Sequence, residues 1–275
     1  MTTESAALSA ISAKAPSIAT EAVARAIETQ FGLVGEYSPL VSERDQNFLL
    51  RSGAGERFVA KVTSGAEDAV ATDFQIGALL HLERVGNLLV PRVFPTLAGE
   101  ASGHIADAES TYRLRVVTWV DGEPLESQAL DPVTCGRFGE ALAGLDAALA
   151  SYSHAGENPA LLWDLQRAVE LRKLTENITN FSVRDRVERA IDDFEERVLP
   201  VVGTLRSQVI HADANPGNIL IAEEGIGLID FGDMMKAPLV FDVAIAASYL
   251  RSFEADPLRF IVPFVAGYHS VTPLD

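Results

Sequence analysis

Three polar side chains that can handle protons and metal ions stand beside short apolar runs in the second half of the sequence. Asp213 and Asn218 lie five residues apart in VIHADANPGNILIA, and Asp230 ends the next apolar run, IGLID, twelve residues later. An aspartate on a loop can accept a proton from a hydroxyl group, and carboxylate and amide oxygens are ligands that suit Mg²⁺. This combination predicts phosphoryl transfer, in which catalysis rests on positioning and on neutralising charge.

Other reactions fit the sequence less well. We find neither G-x-S-x-G nor H-E-x-x-H, the motifs of serine hydrolases and zinc peptidases. An H-x-D-x-x-x-x-N match alone would occur by chance in about one percent of chains of this length. The following D-F-G-D run, and Lys61 at the end of the apolar run RFVAKV, make coincidence much less plausible. Kinases place a phosphate-binding lysine at such a strand end, and an ordinary strand-end lysine is the alternative.

Several polar residues near these motifs also have a structural interpretation. His211 is expected to fix the loop rather than to act as an acid, because one imidazole can tie loop backbone together. The residues at 215–217, Asn-Pro-Gly, are typical turn formers. Asp233 is interpreted either as a metal ligand or as the cap of the next segment.

Charge and cysteine content narrow the class of protein. The chain has 275 residues with 22 Lys and Arg and 39 Asp and Glu, which gives a net charge of −17. Such acidity argues against a nucleic acid partner and suits a cationic substrate, although it also fits a role in solubility alone. The single cysteine, Cys135, allows no internal disulfide and is interpreted as a small helix residue. With no apolar run of roughly 18 residues and no signal peptide pattern, the sequence predicts a cytoplasmic protein without a membrane partner.

The apolar pattern predicts a loose tail at 1–18, a β-rich lobe at 19–120 and a helical lobe at 121–275, hence an α+β fold class. The predicted strands are NFLLRS, RFVAKV, TYRLRVVTWV, NILIA and IGLID. NFLLRS and RFVAKV are predicted to form a hairpin through GAGE, and NILIA is predicted to pair with IGLID through EEG. The predicted helices are SIATEAVARAIETQFG, with Thr20 as its cap, AEDAVATDFQIGALLHLERVG, DPVTCGRFGEALAGLDAALASY, PALLWDLQRAVELRKL, VRDRVERAIDDFEERVLP, LVFDVAIAASYLRSF and LRFIVPFVAGYHSV.

HADANPGNIL and IDFGDM resemble the catalytic loop and the metal loop of the aminoglycoside phosphotransferase family, which has a two-lobed protein-kinase-like fold. The hydroxylysine-kinase-like group is the most similar branch, and SERDQNF, LLWDLQRAVELR and AGYHSVTPL also resemble it. The resemblance spans Ile27 to Leu274. It implies a kinase that transfers the γ-phosphate of ATP or GTP to a hydroxyl of a small cationic substrate: an amino alcohol, a hydroxy-amino acid or an aminoglycoside-like molecule.

The resemblance also implies a role for each matched residue. In the helical lobe, Asp213 is the catalytic base, His211 the loop anchor, and Asn218 and Asp230 are the Mg²⁺ ligands; Asp242, at a helix start, supports the catalytic loop. The small lobe binds the nucleotide: Lys61 holds the phosphates, Ser42 and Asn47 belong to a loop that covers them, and the strand from Thr118 to Val120 offers backbone contacts to the purine.

Two features depart from the family pattern. Kinases usually pair the strand lysine with a glutamate on the next helix, and Gln75 stands where relatives often carry it. A neutral amide can accept a hydrogen bond from Lys61 but supplies no charge, and Asp73 is short and nearly half a turn away. The other departure is the ending SVTPLD, where relatives continue, so we expect an incomplete helical lobe and further domains. A pseudokinase-like module that binds nucleotide with little turnover is the alternative function.

Overall fold

The computed structural model describes residues 15–42, 44–63, 69–107, 110–252 and 255–274. Most of the predicted tail at 1–18, and the first residues of the helix predicted from residue 66, lie outside the described residues. The described chain forms a five-stranded sheet with a covering helix, followed by a larger and mainly helical part. This confirms the predicted α+β, two-lobed fold class.

The small lobe is built on an antiparallel sheet. Its strands are β1 (Gly35–Leu40), β2 (Gln46–Ser52), β3 (Arg57–Thr63), β4 (Gly103–Ala106) and β5 (Thr111–Thr118), in the spatial order β1-β2-β3-β5-β4. The predicted hairpin of NFLLRS and RFVAKV is confirmed as β2 and β3. Asn47 lies directly opposite Lys61, and Lys61 lies directly opposite Arg115. Since opposed residues share a face of the sheet, these three side chains form one row.

The two faces of this sheet have different partners. Helix α1 (Thr20–Phe31) covers one face, where Phe58, Ala60 and Val62 of β3 are buried in one apolar cluster with α1. The alternation of side chains along a strand turns Lys61 to the opposite face. The lysine therefore faces the second lobe rather than the helix.

The boundaries of α1 differ slightly from the prediction. Thr20 is the first helical residue rather than the cap; Ala19 holds the capping position, and no side chain there accepts a hydrogen bond from the first turn. The predicted end is confirmed. Gly32 has φ 70° and donates its N–H to the carbonyl of Glu28, a left-handed termination that favours glycine.

Helix α2 (Ala69–Val85) packs against the helical lobe. Its buried residues Phe74 and Leu82 share one apolar cluster with Leu142 of helix α3 (Pro132–Leu149). Among the described residues, the apolar cluster between α1 and the sheet contains no residue of α2. By packing, α2 belongs with the helices that follow it in the chain.

Helix α3 crosses α7 (Ile261–Val271) at very short range. A Cβ atom added at Gly139 would lie 2.0 Å from the carbonyl oxygen of Phe264, and one at Gly267 would lie 2.0 Å from that of Gly136. The absence of side chains at these glycines lets the two backbones touch. Residues with nearly no exposure, among them Phe138, Phe264 and Tyr268, surround the contact. Pro132 holds the first position of α3, where its lack of an N–H leaves no hydrogen bond unmade.

The segment after α3 corrects a prediction. PALLWDLQRAVELRKL is predicted as an α-helix, but Leu165–Asn177 forms 3-10 turns, and Asp164 at its start accepts a hydrogen bond from the N–H of Gln166. The only residue of the segment that is buried is Thr175. Most of the stability of an α-helix comes from packing an apolar face, and this segment has almost none to pack.

Short strands and the remaining helices complete the lobe. Strand β7 (Ser207–Ile210) pairs with β10 (Met235–Pro238), and β6 (Glu123–Pro124), β8 (Ile219–Ile221) and β9 (Ile226–Leu228) form a small sheet. The helices are α4 (Phe181–Asp193), which runs through a π-helical turn at Phe194–Val198 into α5 (Leu199–Val202), and α6 (Leu239–Tyr249). The predicted hairpin of NILIA and IGLID is confirmed as β8 and β9. None of the helices within the described ranges combines the length and apolarity needed to span a membrane.

Candidate active site

The loop between β7 and β8 holds Asp213 in a defined orientation. The side-chain amide of Asn218 donates to the carbonyl oxygen of Asp213 and to its Oδ2, at 2.9 and 2.8 Å. The amide of Asn215 donates to Oδ1 at 2.9 Å. Burial raises the pKa of Asp213, and the negative charge of Asp233 raises it further. The carboxylate is thus fixed at both oxygens and is more basic than a free aspartate.

His211 is completely buried beneath this loop and joins it to the end of β9. Its Nε2 lies 3.0 Å from the carbonyl oxygen of Ile229, and its Nδ1 accepts a hydrogen bond from the N–H of Asp213 at 3.3 Å. The ring also packs edge-on against Phe231, with 5.0 Å between ring centres. These contacts support the role of a loop anchor, which stays a prediction.

Two residues beside the site have left-handed backbones although neither is glycine. Ala212 has φ 63° and Asp230 has φ 62°. This conformation costs an L-residue roughly 1–2 kcal/mol, so surrounding contacts must hold it. For Ala212 the contact comes from Asp242, the carboxylate of which accepts the N–H of His211 at 3.0 Å and the N–H of Ala212 at 2.8 Å.

A second buried carboxyl, Asp146 of α3, lies next to Asp242, and both are fully buried. The hydroxyl of Tyr268 on α7 donates to Asp146 Oδ2 at 2.5 Å. Burial, together with the charge of Asp242, raises the pKa of Asp146 well above its ordinary value, which favours the protonated form of this carboxyl. The sequence pattern does not identify this residue as part of a site. The available signal was an aspartate at an inward position of an apolar helix.

The loop after β9 places Asp230 opposite the small lobe. Lys61 Nζ lies 3.7 Å from Asp230 Oδ1, and the lysine charge lowers the pKa of that carboxyl. The side chain of Asp230 is 53% exposed, whereas that of Lys61 is 19% exposed. The aspartate therefore stays ionised and accessible from the cleft.

Asn218 and Asp230 lie on adjoining segments and carry side-chain oxygens of the kind that bind magnesium ions. The N–H of Ile229 donates to the carbonyl of Asn218 at 3.0 Å, which brings the two segments together. Because the Asn218 amide nitrogen is bonded to Asp213, its side-chain oxygen is the atom left to bind a cation. Within the described ranges no cluster of three or more His, Cys, Asp or Glu forms a metal site. A sparse pair of oxygen ligands, completed by water and phosphate, is what Mg²⁺ commonly uses.

The two candidate partners of Lys61 on α2 contact arginines of β5. The Oε1 of Gln75 accepts a hydrogen bond from Arg115 at 2.8 Å, and Asp73 pairs with Arg113 at 2.7 Å. Among the described residues, the carboxylate within ion-pair distance of Lys61 is Asp230. The helix glutamate of other kinases is thus replaced here by a different set of contacts.

The other residues that the sequence predicts for nucleotide binding lie in β2, in the loop before it, and at and after the end of β5. Asn47 neighbours Lys61 across the strands, and its Oδ1 is buried with no hydrogen-bond partner in the described part of the chain. The hydroxyl of Ser42 accepts the N–H of Asp45 at 3.3 Å. Thr118 Oγ1 accepts the N–H of Arg92 at 2.9 Å, and Val120 is buried where the chain passes between the lobes.

Arg44 reaches across the cleft from the loop before β2. It forms an ion pair with Asp233, and its guanidinium lies 5.4 Å from the ring centre of Trp163. The sequence pattern identifies neither Arg44 nor Trp163 as a site residue. The signal for Arg44 was a cation inside the run SERDQN.

The chain is similar to several proteins named as kinases. The chain is 28% identical over 297 residues to the hydroxylysine kinase of Mus musculus, covering 95% of this chain and 77% of the mouse protein. Among solved structures, an amicoumacin kinase in complex with AMP-PNP, Ca²⁺ and Ami has a TM-score of 0.67 at 14% identity, covering 87% of this chain and 73% of that one. A microcompartment-associated aminopropanol kinase has a TM-score of 0.62 at 17% identity, covering 92% and 81%.

The structural likenesses show the fold alone, and it is the fold that the sequence predicts. The family follows from the sequence: the model of the phosphotransferase enzyme family matches residues 36–274. This match includes the runs HADANPGNIL and IDFGDM and Lys61. The chain therefore belongs to the phosphotransferase enzyme family.

Proposed function

We propose that this chain is a small-molecule kinase that transfers a phosphoryl group from a Mg²⁺-bound nucleotide to a hydroxyl group. The observation that carries the proposal is the convergence of Asp213, Asn218 and Asp230 on one cleft, with Lys61 3.7 Å from Asp230. Membership of the phosphotransferase family supports it. The relatives named above are kinases, which implies a nucleotide as phosphoryl donor.

Asp213 is the proposed base. Its two oxygens are held by Asn215 and Asn218, so the carboxylate can receive the proton of an acceptor hydroxyl without first reorienting. The hydroxyl oxygen would then bond to the γ-phosphorus while the bond to the leaving nucleoside diphosphate breaks. Mg²⁺, held by Asn218 and Asp230, would supply neutralisation of the phosphate charge.

The nucleotide would bind on the small-lobe side of the cleft. Lys61 is proposed to hold the phosphates, with Asn47 beside it in the same row of the sheet. Ser42 lies on the covering loop, and the strand from Thr118 to Val120 would offer backbone groups to the purine. ATP and GTP are both proposed as donors to be tested.

The proposed acceptor carries both an amine and a hydroxyl group. The net charge of −17 favours a cationic molecule, and Asp213 has the carboxylates of Asp230 and Asp233 as neighbours. Hydroxylysine and aminopropanol, named in two relatives, both have this chemistry.

We also propose a cytoplasmic location, which the single, buried and unpaired Cys135 supports.

Two substitutions separate the proposed roles. Asp213→Ala should leave the affinity for Mg-nucleotide nearly unchanged and lower kcat by roughly 10²–10⁴, the usual worth of a positioned base. Asp230→Ala should weaken nucleotide binding as well as turnover, and chelation of Mg²⁺ should have the same effect on the wild type. Asp256→Ala, a change in an exposed loop outside the site, is the matched control.

Isothermal titration with Mg-ATP and Mg-GTP, together with a nucleotide-consumption screen over cationic hydroxylated metabolites, measures both effects. Equal loss of nucleotide affinity in the two variants would show that the roles are misassigned.

The alternative function is a nucleotide-binding module with little turnover, which the replacement of a glutamate by Gln75 favours. Tight binding of Mg-nucleotide with no consumption in the presence of any acceptor would support that alternative.

A further inference from the structure

Arg115 is a buried cation that the proposed reaction does not use. It is 6% exposed and lies on β5 directly opposite Lys61, on the face of the sheet that looks toward the cleft. Like charges opposed on a sheet repel each other, and a buried charge is costly unless it is paired. The contacts of Arg115 must therefore offset a considerable cost.

Those contacts come from three different segments. One terminal nitrogen of Arg115 lies 3.2 Å from Asp45 Oδ2 and 3.0 Å from Thr63 Oγ1, and the other donates to Gln75 Oε1 at 2.8 Å. Asp45 belongs to the loop before β2, and its side chain is only 11% exposed. The guanidinium thus fixes this loop to β3 and to helix α2 at the same time.

The chain of contacts continues into the metal loop. Gln75 Nε2 lies 3.4 Å from the carbonyl oxygen of Gly232, and the N–H of Gly232 donates to Asp230 Oδ1 at 3.3 Å. Arg115 is therefore connected on one side to the loop that carries Ser42 and on the other side to the backbone that orients Asp230.

We propose that Arg115 is a positioning residue that, through Asp45 and Gln75, sets the loop before β2 and the metal loop in register around the nucleotide phosphates. This inference rests on the proposed kinase function. Asp45 neutralises the charge of Arg115. The charge of Lys61 therefore remains available to pair with Asp230 and with phosphate. A glutamate at position 75 would add a second carboxylate to an arginine that is already paired, whereas the neutral amide of Gln75 can accept from Arg115 and donate to Gly232. The departure from the usual lysine–glutamate pair thus has a physical reason.

The chain contains a matched control for this arginine. Arg113 lies on the same face of the same strand and forms an ion pair with α2 through Asp73 at 2.7 Å. It also bonds to Ser102 and to the carbonyl of Ala69. None of these three partners belongs to the loop before β2 or to the metal loop. Arg113 therefore resembles Arg115 in its strand, its face and its contact with α2, but it contacts neither loop.

The test compares Arg115→Lys, Asp45→Asn and Arg113→Lys with the wild type. Lysine keeps the charge of Arg115 but cannot reproduce its planar fork, and asparagine keeps the shape of Asp45 without its charge. Steady-state kinetics, titration with Mg-ATP and thermal melting are measured for each. Because misplacement by about 1 Å can cost 10²-fold, we expect both changes in the network to lower kcat/KM for nucleotide by about 10- to 100-fold. Arg113→Lys should change it by less than about threefold.

The outcomes are distinguishable. Equal kcat/KM values in Arg115→Lys, Asp45→Asn and wild type would overturn the inference and leave the proposed function intact. A loss in Arg115→Lys that Arg113→Lys reproduces would also overturn it, since a general structural role would then be sufficient. If Arg115→Lys fails to fold, Asp45→Asn decides alone. A wild-type chain that binds no Mg-nucleotide removes the proposed function, and this inference with it.

Discussion

Replacing Gly139 with alanine should force helices α3 and α7 apart. The added Cβ would lie 2.0 Å from the carbonyl oxygen of Phe264 and 2.7 Å from the amide nitrogen of Tyr268, whereas ordinary contacts begin at 3.4 Å. Both are backbone atoms inside a helix, so no side-chain rotation can relieve the overlap. The helices must separate by about 1.4 Å at this point.

The expected cost follows from what surrounds the contact. A radial gap of 0.5–1 Å already forfeits about a quarter to a half of the dispersion attraction, and Phe138, Phe264 and Tyr268 are packed here with no measurable exposure. Overpacking costs about 1–3 kcal/mol, and the loosening of three large side chains adds to it. We expect Gly139→Ala to lower the free energy of unfolding by about 3 kcal/mol or more.

The same separation should reach the catalytic loop. Tyr268 on α7 donates to Asp146 on α3, and Asp146 adjoins Asp242, which holds the backbone of His211 and Ala212. Separation of α3 and α7 weakens the hydrogen bond from Tyr268 to Asp146. Protein that still folds should therefore show a lower kcat with little change in the nucleotide KM.

Urea unfolding of two variants tests the reasoning. Gly136→Ala lies on the same helix three residues earlier, and its Cβ would meet its nearest atom at 3.6 Å, an ordinary contact. That control should be neutral or gain up to about 1 kcal/mol from the higher helix propensity of alanine. If Gly139→Ala proves as stable as Gly136→Ala, the backbone contact between α3 and α7 is not as close as described.

Three further outcomes are expected. Burial and the charge of Asp242 raise the pKa of Asp146, so protonation of this carboxyl stabilises the fold at low pH. This contribution is lost as the pH rises from 3.8 through the raised pKa, and the melting temperature should fall over that range. Asp146→Asn should flatten the dependence of the melting temperature on pH. The backbone of residue 230 has φ 62°, a conformation that glycine adopts more easily than alanine. Urea unfolding should therefore show Asp230→Gly to be about 1 kcal/mol more stable than Asp230→Ala, and equal stabilities would contradict this. Arg44→Ala removes a partly exposed ion pair with Asp233, so stability should change by less than about 1 kcal/mol while the nucleotide KM rises; an unchanged KM would exclude a role in covering the cleft.

The features that the sequence predicts correctly are local in the chain. Asp213 and Asn218 meet because a five-residue turn brings them together, and the hairpin of β8 and β9 then brings Asp230 to the same end. The hairpin of β2 and β3 is likewise visible in two apolar runs joined by a short turn. Spacing within a few residues is enough to specify such contacts.

The features that the sequence does not predict depend on distant partners. Asp146 meets Tyr268 across 122 residues, and Arg115 meets Gln75 across 40 residues. In both cases the residue type is ordinary for its segment, and only the packing of whole helices and strands decides its partner. The 3-10 segment Leu165–Asn177 was mispredicted for a related reason, because propensity alone does not reveal that a segment has little to pack against.

The packing of α2 has a consequence for how the lobes move. Phe74 of α2 stacks on Tyr152 of the helical lobe, with 5.7 Å between ring centres, and no α2 residue enters the core beneath α1 in the part of the chain that is described. A hinge motion that opens the cleft would therefore carry the sheet and α1 as one rigid body and leave α2 behind. The sliding surface lies between β5 and α2, where Arg113 and Arg115 make polar contacts. Water can satisfy polar groups that separate during opening, whereas it cannot compensate for exposed apolar area. Opening along this surface would therefore leave both apolar cores intact.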